Sequence, residues 1–272
     1  MSEHTTDRDG DEQPQHRDVL IVGGGVAGLS AAVYTARAGL DTLVYDGAES
    51  ILRRNAHLEN FPGFPAGVNP RLFADMLHAQ ATRNGVDLVE GRIAELHRAE
   101  DGDDEADDPN GFLAVAEDGS ELRADRVIAA SWADTDYLDP VAPEIRSAGS
   151  KAFLEDDEDG HTSVDGLYAA GRLAERYHQA VVAAGDGART AITLIHDSDT
   201  PFYHDWVAPE GYFSDRGREV PPGCEEIDET EQAARQAESR AAMQEYFGEA
   251  HEQRQRTHPS LVDDERGKVE EF

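Results

Sequence analysis

Apolar residues follow two rhythms along this chain. Val19 to Val22 is an unbroken apolar run of strand length, and Thr42 to Tyr45 is a second. Between them Val26, Leu29, Val33 and Ala36 recur at helical spacing, and Gly39 stands where that helix would stop. The helical rhythm returns in Arg71 to Asn84 through Leu72, Met76 and Ala79, closed by Gly85, and Val86 to Val89 is strand-like again. Ile93 to His97, Gly111 to Ala116 and Glu121 to Ile128 predict a β-meander, with the acidic run from Glu100 to Asp108 and the pair Asp118-Gly119 as its turns. Val127 to Ala130 is expected to rejoin the central sheet. Ser131 to Thr162 is polar and reads as irregular; Gly166 to Gly171 is a last short strand, and His178 to Ile195 is a helix. Strands alternating with helices predict an α/β fold of Rossmann type, a parallel central sheet with a meander attached.

The flanks read differently. Residues 1–17 are polar and charged, and are expected to form a disordered acidic arm ahead of a nucleotide-binding unit over residues 18–200. Residues 201–272 form a C-terminal extension. Its first part, within Asp199 to Pro222, sets Tyr203, Trp206, Tyr212 and Phe213 among prolines and glycines, as an ordered wrap would. Asp228 to Gln253 is a candidate charged helix, opened by the capping pattern Asp228-Glu229-Thr230-Glu231, with a thin stripe of Ala234, Ala237 and Ala241.

The turn after the first strand carries the candidate chemistry. Gly23-x-Gly25-x-x-Gly28 joins strand to helix, and Asp46 ends the next strand about 20 residues on, the order of a dinucleotide-binding turn. Gly23 permits the tight turn, Gly25 lets a pyrophosphate approach the backbone, and Gly28 lets helix and strands pack closely. Val26 and Ala27 open the helix, whose N-terminal N–H groups and partial positive charge suit phosphate. The Asp46 carboxylate would accept hydrogen bonds from both ribose hydroxyls and repel a 2′-phosphate, so FAD or NAD is expected here and NADP is disfavoured.

Charge and cysteine content narrow the classes. The 272 residues carry a formal net charge of −33, with 57 Asp and Glu against 24 Lys and Arg, and the two lysines are Lys151 and Lys268. Such acid enrichment resembles halophilic proteins, whose carboxylates hold water and cations, and it opposes a nucleic-acid partner. No apolar run is long enough to span a bilayer and no signal peptide is evident, so a cytoplasmic protein without a membrane partner is expected. Cys224 is the single cysteine, which excludes an intrachain disulfide or a CxxC pair. The eleven histidines lack ligand spacing, and no metal is expected.

Two further motifs complete a resemblance. Asn60-Phe61-Pro62-Gly63-Phe64-Pro65 reads as a rigidly shaped loop, and Ala169 to Arg189 contains AAG, a Tyr, QAV and AGDGAR in sequence. Over residues 18 to about 196 this order of parts resembles the FAD-binding domain of the thioredoxin reductase group of pyridine-nucleotide disulfide oxidoreductases. The resemblance implies FAD as cofactor. It implies that the segment ending at Gly171 meets the pyrophosphate, that Asn60 lies beside the isoalloxazine, and that Gln179 and Ala180 offer backbone N–H groups to the ring. His178 stands where the group usually has arginine. Three departures stand out: the CxxC pair is missing, the stretch from Ala130 to Gly166 is too short for the group's NADPH domain, and Arg172 replaces an aspartate that contacts the flavin half of FAD. Ala130-Ser131-Trp132 also replaces the usual Ala-Thr-Gly. Arg172 is expected to meet a pyrophosphate oxygen; the alternatives are that it fills the site or pairs with Asp46 or Glu175.

The resulting expectation is an FAD-dependent oxidoreductase with one nucleotide-binding domain and no redox disulfide. Electrons would come from a donor or go to an acceptor, protein or small molecule, and a homodimer is a further expectation. No separate catalytic residue is identified, although His178 is the titratable group expected near the ring. The alternative is a degenerate, non-catalytic nucleotide-binding or protein-interaction module.

Overall fold

The computed structural model describes residues 14–47, 49–99, 111–149 and 151–252. Its centre is a seven-stranded sheet. Strand β1 (Gln15–Val22) lies between β2 (Thr42–Asp46) and β6 (Glu121–Ala129), parallel to both. Beyond β2 lies β3 (Asp87–Glu90), and beyond the end of β6 lies β9 (Leu167–Ala169), both also parallel. On its other edge the first half of β6 pairs with the meander, antiparallel to β5 (Phe112–Ala116), which pairs with β4 (Ile93–Arg98). One nine-residue strand therefore belongs to both the meander and the parallel sheet.

The continuous apolar run in β1 has a direct cause. Successive side chains of a strand point to opposite faces. Val19 and Ile21 pack with helices α1 (Val26–Arg37) and α3 (Ala180–His196), while Leu20 and Val22 pack with Leu96, Phe112 and Leu138 on the other side. Both faces are covered, so alternation disappears. The two helices cross closely: a Cβ on Gly187 would lie 2.0 Å from the Ala27 carbonyl oxygen. Helix α2 (Pro70–Arg83) begins at Asn69, whose side chain accepts from the Arg71 N–H at 2.9 Å, with proline in the first turn.

Several expectations need correction. Strand pairing starts at Gln15, so Gln15–Arg17 belong to the sheet and not to an arm; residues 1–13 lie outside the described residues. Backbone pairing with Leu122–Ala124 sets this start, and Arg17 is fixed by Asp41 and Asp87, each at 2.7 Å. The segment expected to be irregular contains a 3-10 turn (Asp136–Val141) and a hairpin of β7 (Ile145–Ala148) and β8 (Lys151–Leu154). Those strands are too short and too polar at their joined ends to show a period, yet Phe153 and Leu154 are buried. Helix α3 starts at Ala180, two residues later than expected, because Gln179 is extended and acts as its N-cap. The acidic run 100–108 lies outside the described residues.

In the extension, β10 (Trp206–Pro209) and β11 (Cys224–Ile227) form a small parallel pair. Asp205 beside it clasps Arg37 at the end of α1, with one bond of 2.7 Å. Helix α4 (Glu229–Tyr246) follows, capped by Asp228, which accepts from the Glu231 N–H at 2.7 Å. It ends at Tyr246 and not near Gln253, since Phe247 and Gly248 leave the helix. None of its 18 residues is buried. Among the described residues, no helix is long and apolar enough to cross a membrane.

Candidate functional site

The carboxyl ends of β1, β2 and β6 open onto a cleft of about 970 Å³. Ligands of open α/β sheets bind at such a point. Each glycine of the turn faces a different constraint. Gly23 has φ +120°, its N–H donates to the Tyr45 carbonyl at 2.8 Å, and a Cβ on it would lie 2.5 Å from the Ala130 carbonyl oxygen. A Cβ on Gly28 would meet the Gly23 carbonyl oxygen at 1.9 Å. Gly25 faces the open cleft, with Ser50 Oγ at 4.0 Å as the nearest contact for an added Cβ. It is the N-cap of α1 with no side-chain cap and no acidic residue in the first turn. The N–H groups around Val26 and Ala27 thus meet the cleft with no carboxylate in their own turn.

Asp46 closes this end. Its carboxylate lies over Gly24, where a Cβ would be 2.4 Å from Asp46 Cγ, and its Oδ2 is 3.4 Å from His78 Nε2. Gly24 is the member of the Gly23-Gly24-Gly25 triplet that the fingerprint leaves unassigned. The triplet itself is the signal that could have revealed it.

At the other end, Asn60 and Gln179, 119 residues apart in sequence, meet directly: Asn60 Nδ2 donates to Gln179 Oε1 at 2.7 Å. The loop holding Asn60 is shaped from below. Phe61 and Phe64 pack on Phe73 of α2, with ring centroids 4.6 and 5.7 Å apart, and the Leu58–Val68 bridge closes the loop. Buried Arg71 donates to the carbonyls of Arg53 and Asn55 at 3.0 and 3.1 Å. Phe247, just past α4, packs against Phe64 in a tilted pair with ring centroids 6.2 Å apart, so the extension reaches this loop as well.

Gly171 takes φ +71° and donates its N–H to Asp186 Oδ2 at 2.7 Å. Asp186 also accepts from Arg176 and Arg189, each at 2.8 Å, and Arg176 pairs with Asp156. Composition gives no hint of this buried cluster, although Asp186 belongs to the AGDGAR motif. Arg172 lies neither on Asp46 nor on Glu175. Its guanidinium sits 4.7 Å over the Phe153 ring and donates to the Arg176 carbonyl at 3.4 Å, while Glu175 pairs with Arg146. Arg172 still lines the cleft.

Trp132 went unassigned as a site residue, although the departure Ala130-Ser131-Trp132 marked the place. It has φ +66°, a left-handed conformation costing a bulky residue about 1–3 kcal/mol. It meets His178 edge-on, ring centroids 4.7 Å apart. Burial, reinforced by the charges of Arg172 and Lys151, holds the His178 imidazole below its usual pKa. Nearby, burial pushes the Tyr137 phenol well above its usual range, and it shares a 3.1 Å hydrogen bond with Ser131 Oγ. Among the described residues, no group of three His, Cys, Asp or Glu is arranged to hold a metal ion.

A family model described as an NAD(P)-binding Rossmann-like domain matches residues 21–84. Thioredoxin reductase from Streptomyces coelicolor is 45% identical over 76 residues, 27% of this chain and 24% of that protein. Thioredoxin reductase from Aquifex aeolicus is 35% identical over 121 residues, 43% of this chain and 34% of that protein. The matches thus span a quarter to a third of these relatives' length. Among solved structures, a thioredoxin reductase from Gloeobacter violaceus superposes with a TM-score of 0.56 at 17% identity, covering 67% of this chain and 95% of that one. The atypical thioredoxin reductase TRi from Desulfovibrio vulgaris Hildenborough gives 0.53 at 22% identity, covering 68% and 100%. This chain therefore has the Rossmann-like fold of the thioredoxin reductases.

Proposed function

We propose that the chain binds FAD in this cleft and acts as an oxidoreductase without a redox disulfide. The observation that carries the reading is the line of fittings along one cleft: open Gly25 at an uncapped helix start, Asp46 beside it, and the Asn60–Gln179 pair beyond. These residues fit a dinucleotide, because the place where a Gly25 side chain would stand is free for a pyrophosphate. Gly25, Val26 and Ala27 would hold the phosphates through backbone N–H groups, with Gly171 at their other side, and Asp46 would hold the adenosine ribose. Asn60, Gln179 and Ala180 would bind the ring end. Bound FAD supplies electron and hydride transfer.

The remaining groups set limits on the chemistry. His178, held below its usual pKa by burial and by the charges of Arg172 and Lys151, disfavours the protonated form and is not a ready proton donor. Cys224 is a lone thiol whose Sγ lies 3.3 Å from the His204 carbonyl oxygen, so dithiol exchange within this chain is outside the proposal. No second glycine fingerprint occurs between β6 and β9, which makes a small-molecule or protein electron donor the expected source. The alternative, a non-catalytic interaction module, draws on helix α4, which leaves all its residues outside the core.

Purification of the full chain at multimolar KCl with added FAD tests the proposal. Stoichiometric flavin absorbance after gel filtration is expected, together with its loss in Gly25→Val at unchanged circular dichroism. A native chain that takes up no flavin refutes it.

A further inference from the structure

The C-terminal extension returns to the domain at a point that the cofactor reading does not use. It leaves the β10–β11 pair, beside the clasp of Asp205 on Arg37, and runs on as α4, none of whose residues is buried. A helix that buries nothing gains little from packing. What its 18 residues supply is length, about 27 Å at the usual helical rise. Along the way Glu238 accepts from Arg83, at the end of α2, at 2.7 Å. Past the end of α4 the chain touches the domain twice more. Phe247 packs against Phe64, and His251 Nε2 donates to Asp75 Oδ2 at 2.7 Å with its side chain only 15% exposed.

Both contacts fall on the frame of the segment that carries Asn60. Phe64 lies in the Asn60–Pro65 loop, and its ring leads through Phe73 to Phe61, the neighbour of Asn60 in sequence. Phe61 and Phe64 are only half-buried, so the ring of Phe247 adds to a packing that the loop does not complete by itself. Asp75, on α2, is also held by Arg53 of the 3-10 turn Ile51–Arg54, and the Arg53 carbonyl accepts from Arg71. That turn precedes the loop and α2 follows it. Asp75 therefore joins the two flanks, and His251 completes the join. Between the flanks, Asn55 to Asn60 line the cleft, and Asn60 reaches Gln179.

We infer that Phe247 and His251 are positioning residues for the ring end of the cleft: they hold the loop in the shape in which Asn60 meets Gln179. Neither lines the cleft, and both act through other side chains, Phe247 through Phe64 and His251 through Asp75. Helix α4 is the strut that carries them there from the far end of the sheet. This inference rests on the proposed FAD site and concerns its ring end. The adenosine end, at Gly25 and Asp46, is built from β1, β2 and the start of α1.

Phe247→Ala and His251→Ala in the full chain test this at two levels. Phe247 is 46% exposed, so its loss leaves the core intact. The first level is amide hydrogen exchange without ligand. The N–H groups of Leu58, Gly67 and Val68, which close the loop, are compared with those of β1 and β2. Each variant is expected to exchange about tenfold faster at the loop and at the parent rate in β1 and β2. Phe247→Leu, which keeps an apolar contact, should restore most of the protection. The second level is titration with FAD and with ADP, which carries the pyrophosphate but no flavin ring. FAD should bind roughly two- to tenfold more weakly, the range that one aromatic pair spans, with ADP unchanged. Unchanged exchange at the loop, or faster exchange throughout the chain, overturns the inference whether or not flavin binds. Unchanged FAD affinity, or equal weakening of FAD and ADP, also overturns it and leaves the FAD proposal standing. A parent chain that takes up no FAD refutes the cofactor proposal, and the exchange comparison then decides by itself whether Phe247 and His251 order the loop.

Discussion

Replacing Gly24 with alanine isolates the role of Asp46 without touching it. The added Cβ would lie 2.4 Å from Asp46 Cγ and 2.6 Å from its Oδ2, far inside contact distance. Gly24 has no positive φ, so alanine suits its backbone and the clash falls on the carboxylate. Asp46 must swing away from its place at the end of β2. Hydrogen bonds from a charged group are worth about 1.5–3 kcal/mol each. A displaced carboxylate keeping one of two ribose bonds would lose about 2 kcal/mol, or roughly 30-fold in FAD affinity. Crowding should also lower stability by about 1–3 kcal/mol. Gly25→Ala is the matched control: its Cβ meets open space, so stability should hold while FAD affinity falls. Calorimetric titration of FAD with each variant, alongside thermal melts, separates the two. If Gly24→Ala binds FAD within twofold of the parent chain, Asp46 does not hold the ribose and this account of the site fails.

Three other outcomes follow from the structure. Asp186→Asn removes a charge from a side chain 3% exposed between Arg176, Arg189 and the Gly171 N–H, and should cost about 3 kcal/mol and lower Tm by roughly 6–12 °C in a melt. The imidazoles of His178 and His161 should titrate on opposite sides of the ordinary value in a proton NMR series. His178 is lowered by burial and by Arg172 and Lys151; burial also opposes the charged form of His161, but hydrogen bonds to Asp157 and Asp197 prevail and raise it. His178 then contributes stability above the ordinary histidine pKa, lost as pH falls through its lowered value. His161 contributes below the ordinary value, lost as pH rises through its raised one. Coincident titrations would contradict both environments. Dilution from multimolar KCl should unfold the chain, because the screening length grows from about 3 Å at 1 M to about 10 Å at 0.1 M while 57 acids face 24 basic residues; an unchanged circular dichroism spectrum in low salt would remove the halophile argument.

The glycine turn, the strand and helix around it and the meander were legible because each is written locally. A run of four apolar residues, a 3.6-residue period and a glycine where φ must be positive need no knowledge of distant neighbours. The β7–β8 hairpin was illegible for the opposite reason. Its strands are four residues long, and Phe153 and Leu154 owe their burial to the sheet above them. Likewise α4 has a clear capping signal, yet its thin apolar stripe did not foretell that it would leave the core empty-handed and touch the loop at Phe64 through Phe247.

By itself, then, the sequence determined the Rossmann-type order of elements, the glycines a dinucleotide would require, the carboxylate at the end of β2 and the lone cysteine. Tertiary structure alone decided which of these residues meet. Asn60 and Gln179 come within 2.7 Å across 119 residues, Gly24 is pinned beneath Asp46, and Asp186 gathers Arg176, Arg189 and the Gly171 N–H. It also decided that Arg172 rests on Phe153 and not on Asp46 or Glu175. The physical reason is that propensity and periodicity act over one or two turns of chain, whereas side-chain contacts and unpaired charges depend on what folding brings alongside.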